Sequence, residues 1–212
     1  MRFVNGNSID ICRQLESWYE RSTGQYLLAQ EQALVEAHLQ QIFGYHQLQL
    51  GVTRHQQIAL QSPLGHKIYA ASQGGGQTGL RTEIDSLPFA DDSIDVVILH
   101  HALEFVSDPH GLLREAHRVV APQGHLIVLG FNPFSLPGLG LQLRKLWLSS
   151  PWRDARPMGA WRLRDWLNLL GSEVQSVRHC LSVPPVGGQR LTAITQACEK
   201  FATRHNWPVG GV

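Results

Sequence analysis

The chain has 212 residues, 43% of them apolar, and a net charge of +1. That length suits one domain of ordinary size, and the apolar share lets it bury roughly 70% of the surface of the unfolded chain. A near-neutral charge sets up no one-signed field to draw in nucleic acid or an anionic membrane, so neither is expected as a partner.

Cys12, Cys180 and Cys198 are odd in number and widely spaced, which suits free thiols in a reducing compartment and matches no zinc spacing. Asp10, Arg13, Glu16, Glu20 and Arg21 interrupt the first 30 residues and argue against a signal peptide. The longest apolar runs, Val96 to Leu99 and Leu126 to Leu129, are too short to span a bilayer. A cytoplasmic protein is expected.

Residues 8 to 40 carry apolar positions at helical spacing, with Gly24 predicted to separate two helices. This stretch reads as a helical extension at the start of one domain covering 1–212. Tyr45 to Val52, Lys67 to Ala71 and Leu80 to Ile84 read as three strands, with a glycine-rich loop at 74–79 between the last two. Ile94 to Leu99 is a β-branched apolar run, as expected of a strand covered on both faces. A helix follows over Gly111 to Val120, with Asp108 as its cap and Pro109 at its first position. Pro122-Gln123-Gly124 reads as a turn and His125 to Phe131 as the next strand. Strand, helix, turn and strand in so short a span make a βαβ crossover and hence a parallel sheet. Helices are expected at Leu139 to Leu148, Leu163 to Leu170 and Leu191 to Thr203, and a strand at Glu173 to Cys180. Pro208 to Val212 reads as the entry to a strand that is cut off.

The segment Glu83 to Asn132 resembles the type 11 branch of class I S-adenosylmethionine-dependent methyltransferases. Asp85-Ser86-Leu87-Pro88-Phe89-Ala90-Asp91-Asp92-Ser93-Ile94-Asp95-Val96-Val97 carries the resemblance, followed by His101 to Val106, Asp108-Pro109, Leu112 to Glu115, Arg118 to Val120 and Pro122 to Leu126. The resemblance implies a Rossmann-like α/β fold, a mostly parallel seven-stranded sheet flanked by helices. It implies S-adenosylmethionine as cofactor and methyl transfer as activity.

In open α/β sheets the ligand sits beyond the carboxyl ends of the strands, where the strand order reverses. By resemblance, the cofactor-binding residues are Gly51, Arg54, Glu83, Asp85, His100 and His101. Glu83 or Asp85 would accept the adenine amino group, and Arg54 would pair with the cofactor carboxylate. The first loop departs from the family. It reads Leu48-Gln49-Leu50-Gly51-Val52-Thr53-Arg54-His55, with Gln49 where an acid is usual and a single glycine. That departure sustains a second reading, a catalytically inactive member that binds a partner or another ligand.

His101 is the candidate general base; the alternative is a histidine that only shapes the pocket. No His-Glu-x-x-His pattern exists, so no metal is expected. Gly74-x-Gly76-x-x-Gly79 spells a dinucleotide fingerprint, but no helix can open directly after it, so a turn is the better reading. Asn132-Pro133-Phe134-Ser135 follows the fifth strand, where a local turn fits better than a catalytic motif. Residues 139–170, rich in tryptophan and arginine, read as a helical insertion or a lid over the site. The expected acceptor is a small molecule.

Overall fold

The computed structural model describes residues 8–53, 57–71, 80–81, 86–131 and 155–178. Two helices open the chain, α1 (Ser8–Tyr19) and α2 (Ser22–Leu39). The break falls at Glu20-Arg21 and not at Gly24, which lies in the first turn of α2. Gly24 is needed for another reason. A Cβ there would sit 2.5 Å from both the Trp18 carbonyl oxygen and Tyr19 Cα, so only glycine lets α2 start against the end of α1.

Five strands follow: β1 (His46–Gly51), β2 (His66–Ala71), β3 (Leu80–Arg81), β4 (Ile94–His100) and β5 (Val120–Leu129). They form one sheet in the order β3-β2-β1-β4-β5, and every pair is parallel. The order reverses between β1 and β4, where Gly51 lies beside His100. The fold is thus the expected Rossmann-like parallel sheet, with five strands among the described residues. A last strand at 208–212 and helices at 139–148 and 191–203 fall outside those residues.

Strand alternation sorts the sheet into two faces. Leu48, Leu50, Val97 and Leu99 point to one side, with Leu112, Leu113, Ala116 and Val119 of helix α3 (Pro109–Val119). Helix α4 (Ala160–Leu169) adds Leu163, Trp166 and Leu167 to this layer. Val96 and Ile98 point the other way, to Val35 and Leu39 of α2. The Asp108 side chain caps α3 by accepting from the Gly111 amide at 2.9 Å, with proline in the first turn as predicted.

Two expectations are corrected. Pro122-Gln123-Gly124 is no turn ahead of a strand, because β5 already starts at Val120. Ile94 pairs with Val120 and Val96 with His125, so extra residues are accommodated as a bulge, and Gln123 takes a left-handed φ of 64°. Residues 172–178 form no strand. Among the described residues no ladder partner meets them, and alternation without a partner does not make a sheet.

The family-like motif residues are structural braces. Asp95, at the amino end of β4, accepts from the Tyr45 and His46 amides, both at 2.8 Å, and so fixes where β1 begins. Arg118 on α3 donates to the carbonyls of Leu87 (3.1 Å) and Phe89 (3.0 Å) and pairs with Glu115 and Asp91. Glu115 in turn accepts from the Leu87 amide at 2.8 Å. The Leu-Pro-Phe loop is therefore strapped to α3.

Candidate active site

Four polar side chains meet at the carboxyl ends of β1 and β4. His100 and His101 are each 3% exposed, Glu104 2% and Glu31 not at all. Consecutive residues of a strand normally face opposite sides of a sheet. Here His101 adopts a left-handed φ of 49°, while its amide donates to the Leu129 carbonyl at 3.1 Å. That conformation is uncommon for a residue with a side chain. It brings both imidazoles to one carboxylate: His100 Nε2 lies 3.0 Å from Glu31 Oε2, and His101 Nε2 lies 2.8 Å from Glu31 Oε1. The other ring nitrogen, His101 Nδ1, lies 3.1 Å from Glu104 Oε1, which also accepts from the Phe131 amide at 2.8 Å. Phe131 stacks on the His101 ring with centroids 4.4 Å apart.

Glu31 was missed in the sequence, and the signal for it is simple. Leu27, Glu31, Val35 and Leu39 recur every fourth residue on α2, and all four are buried. An acid in the middle of an apolar stripe must find a partner inside. Glu104 likewise stands in the His101-to-Val106 motif with its role unassigned by sequence.

Charge follows from this geometry. Burial pushes the Glu31 carboxyl up, but His101 and the hydrogen bonds of both histidines more than offset this and hold it at about 2. Burial pushes the His101 imidazolium down, yet Glu31 and Glu104 on its two sides raise it to about 10. Burial lowers His100 despite its bond to Glu31. His101 therefore carries the proton of the cluster. With both ring nitrogens engaged by carboxylates, it has no lone pair to offer as a general base.

A small cleft, with a cavity volume of about 10 Å³, opens beside the cluster, lined by Leu15, Tyr19, Val52, Thr53, His100, His101 and Phe105. Helix α1 forms one wall through Leu15 and Tyr19. Cys12 Sγ reaches the Val52 carbonyl at 3.1 Å and ties α1 to the end of β1. Ala155 is buried in the same apolar cluster as Tyr19, Phe105 and Phe131, and the Arg156 amide donates to the Glu104 carbonyl at 2.7 Å. Residues 155 and 156 thus pack beside residues that line the cleft, while α4 packs on the far face of the sheet, where Trp166 meets His110.

Of the residues expected to bind cofactor, the fold brings Gly51, His100 and His101 together. Arg54, Glu83 and Asp85 lie outside the described residues, as do 74–79 and 132–135. Gln49, where the family has an acid, is turned to structural use: its Oε1 accepts from the Ile58 amide at 3.1 Å and anchors the chain after the first loop.

The family description "Methyltransferase domain" matches residues 62–128, a stretch that contains β2 to β4, β5 up to Val128 and the Arg118 brace. The chain is 36% identical to protein YafS of Escherichia coli (strain K12) over 156 residues, which is 72% of this chain and 63% of that protein. It therefore spans less than two thirds of this curated relative. A shorter stretch of 57 residues, 27% of this chain and 22% of the relative, is 42% identical to the ubiquinone/menaquinone biosynthesis C-methyltransferase UbiE of Ruegeria sp. (strain TM1040). In fold, the chain is similar to a SAM-dependent methyltransferase of Thermotoga maritima. That match has a TM-score of 0.61 at 22% identity and covers 78% of this chain and 81% of that one. The matched motif segment and a parallel sheet of the same kind support a class I S-adenosylmethionine-dependent methyltransferase of the type 11 branch.

Proposed function

We propose that the protein transfers a methyl group from S-adenosylmethionine to a small-molecule acceptor at the carboxyl ends of β1 and β4. The observation that carries this reading is the narrow cleft at the strand-order reversal, walled by α1 and floored by His100 and His101, with Gly51 paired beside His100. The residues present fit the cofactor. A Cβ on Gly51 would meet nothing closer than the Thr53 carbonyl at 3.6 Å, so its backbone stays open to a ligand. Among the described residues, the buried Glu104 Oε2 has no hydrogen-bond partner and is available as an acceptor. When bound, the cofactor supplies an activated methyl on its sulfonium. Gly51 and Arg54 would hold its amino-acid end, and Glu83 or Asp85 its adenine.

The protein's own part is alignment. Leu15, Val52 and Phe105 give the cleft apolar walls, and the Glu31–His101–Glu104 cluster holds the His101 ring at its floor. In-line displacement depends mainly on such positioning, which agrees with His101 having no free nitrogen. A near-neutral chain favours a small acceptor over nucleic acid, and the similarity to a quinone-biosynthesis C-methyltransferase points the same way. The departure at Gly51-Val52-Thr53 supports the second reading, a member that binds without turnover.

The test is to incubate the purified protein with methyl-labelled cofactor and cell extract separated into small-molecule, nucleic-acid and protein fractions. Label is expected in the small-molecule fraction. Label in a macromolecular fraction overturns the acceptor class, and cofactor binding without transfer to any fraction favours the second reading.

A further inference from the structure

We propose that Glu31, His100 and His101 form a binding site for one divalent transition-metal ion, of the zinc or cobalt class. The proposal goes beyond methyl transfer and does not rest on it.

The three residues come from different parts of the chain, Glu31 from α2 and the histidines from the end of β4. One ligand atom from each lies within 4.8 Å of the others, and all three residues are buried. Two imidazoles and one carboxylate form a donor set that suits first-row divalent metals. The spacing suits it too. Bonds of about 2.0–2.2 Å in a tetrahedral site place neighbouring donors about 3.3–3.6 Å apart, a few tenths of an ångström more than a hydrogen bond. The Nε2-to-carboxylate distances here are 2.8 and 3.0 Å. An ion could thus enter between the donors with little movement of the backbone.

Three further features are those of a built site. The left-handed backbone at His101 turns its ring to the same carboxylate that His100 faces. Glu104 accepts from His101 Nδ1 and is itself fixed by the Phe131 amide, so that the ring stays oriented when an ion displaces the proton from Nε2. A carboxylate behind a ligating imidazole is the usual way to set its tautomer and orientation. Finally, both histidines line the cleft, so an open ligand position would face that space.

The chain has no His-Glu-x-x-His pattern, the ground on which no metal is expected from its sequence. A site split between α2 and the end of β4 has no local spacing to recognise.

The test is metal content after chelator treatment, desalting and dialysis of the full chain against Zn²⁺, Co²⁺ or Mg²⁺. We expect one Zn²⁺ or Co²⁺ per chain and no Mg²⁺ retained, with visible absorption bands from bound Co²⁺. Glu31→Gln and His101→Gln should lower affinity by about 100-fold or more, and Glu104→Gln by about 10- to 100-fold, the range for an outer-sphere partner. His46→Gln, at the exposed His46–His66 pair, should change nothing. Loss of uptake in His46→Gln, or unchanged uptake in both Glu31→Gln and His101→Gln, overturns the proposal. Should those two variants fail to fold, the unaltered chain decides: no Co²⁺ bands and no retained metal refute the site.

Discussion

Replacing Arg118 by methionine should loosen the Leu87-to-Asp91 loop without unfolding the sheet. Methionine keeps the apolar stem and removes the guanidinium. The substitution deletes the bonds to the Leu87 carbonyl (3.1 Å) and the Phe89 carbonyl (3.0 Å), together with the pairs to Glu115 and Asp91. A hydrogen bond involving a charged group is worth about 1.5–3 kcal/mol when buried. The Arg118 side chain is 32% exposed and that of Asp91 73%, so the Asp91 pair counts for little and the rest is partly screened. The sum is about 2–3 kcal/mol, or a fall in Tm of roughly 4–12 °C for a chain of this length. The local effect is more diagnostic. Arg118 holds the Glu115 carboxylate that accepts from the Leu87 amide, so exchange at that amide should speed up about tenfold or more. Arg118→Lys, which keeps the charge but not the fork, should fall between the two. The assay is thermal unfolding followed by amide exchange resolved to residues 86–91. An unchanged Tm together with unchanged exchange at Leu87 would refute the claim that this motif arginine straps the loop.

Other outcomes follow from the same structure. Bonds from the His46 and Tyr45 amides hold the Asp95 carboxyl below its usual range. A carboxyl depressed by folding stabilises the protein above its unfolded pKa of about 3.9, and the gain is lost as pH falls through the folded value. The stability lead over Asp95→Asn should thus be full at pH 7 and shrink below about pH 4; an unchanged gap down to pH 2 would contradict it. Gly24→Ala should destabilise by about 1–3 kcal/mol, because the new Cβ meets rigid backbone at 2.5 Å. A higher Tm, as helix propensity alone would give, would show that α1 and α2 are not so closely seated. If Glu83 or Asp85 accepts the adenine amino group, Glu83→Gln or Asp85→Asn should weaken S-adenosylhomocysteine binding by about 1.5–3 kcal/mol. Equal affinity in both folded variants would place the adenine elsewhere.

Much of the fold is legible in the sequence where one pattern dominates. Ile94 to Leu99 is apolar on both faces and is buried on both, and Asp108-Pro109 announces the start of α3. Legibility fails where tertiary contact decides. Gly24 looks like a helix break, yet its role is a contact with Trp18 that no local pattern records. Pro122-Gln123-Gly124 has the composition of a turn and lies in a bulge, because the pairing of β5 with β4 begins before it. The motif shared with the family marks the right region, but Asp95, Glu115 and Arg118 serve its architecture. The buried cluster was half visible: His100 and His101 stand at the expected strand end, while Glu31 lies 69 residues before His100 and could be seen only as an acid in an apolar stripe.

The central claim is that the cleft at the ends of β1 and β4 holds S-adenosylmethionine, and titration calorimetry tests it most directly. The account predicts that S-adenosylmethionine and S-adenosylhomocysteine bind the purified chain, weakly for the family because a single glycine serves the first loop, and that NAD does not. No heat at millimolar cofactor, or binding of NAD in its place, would contradict it.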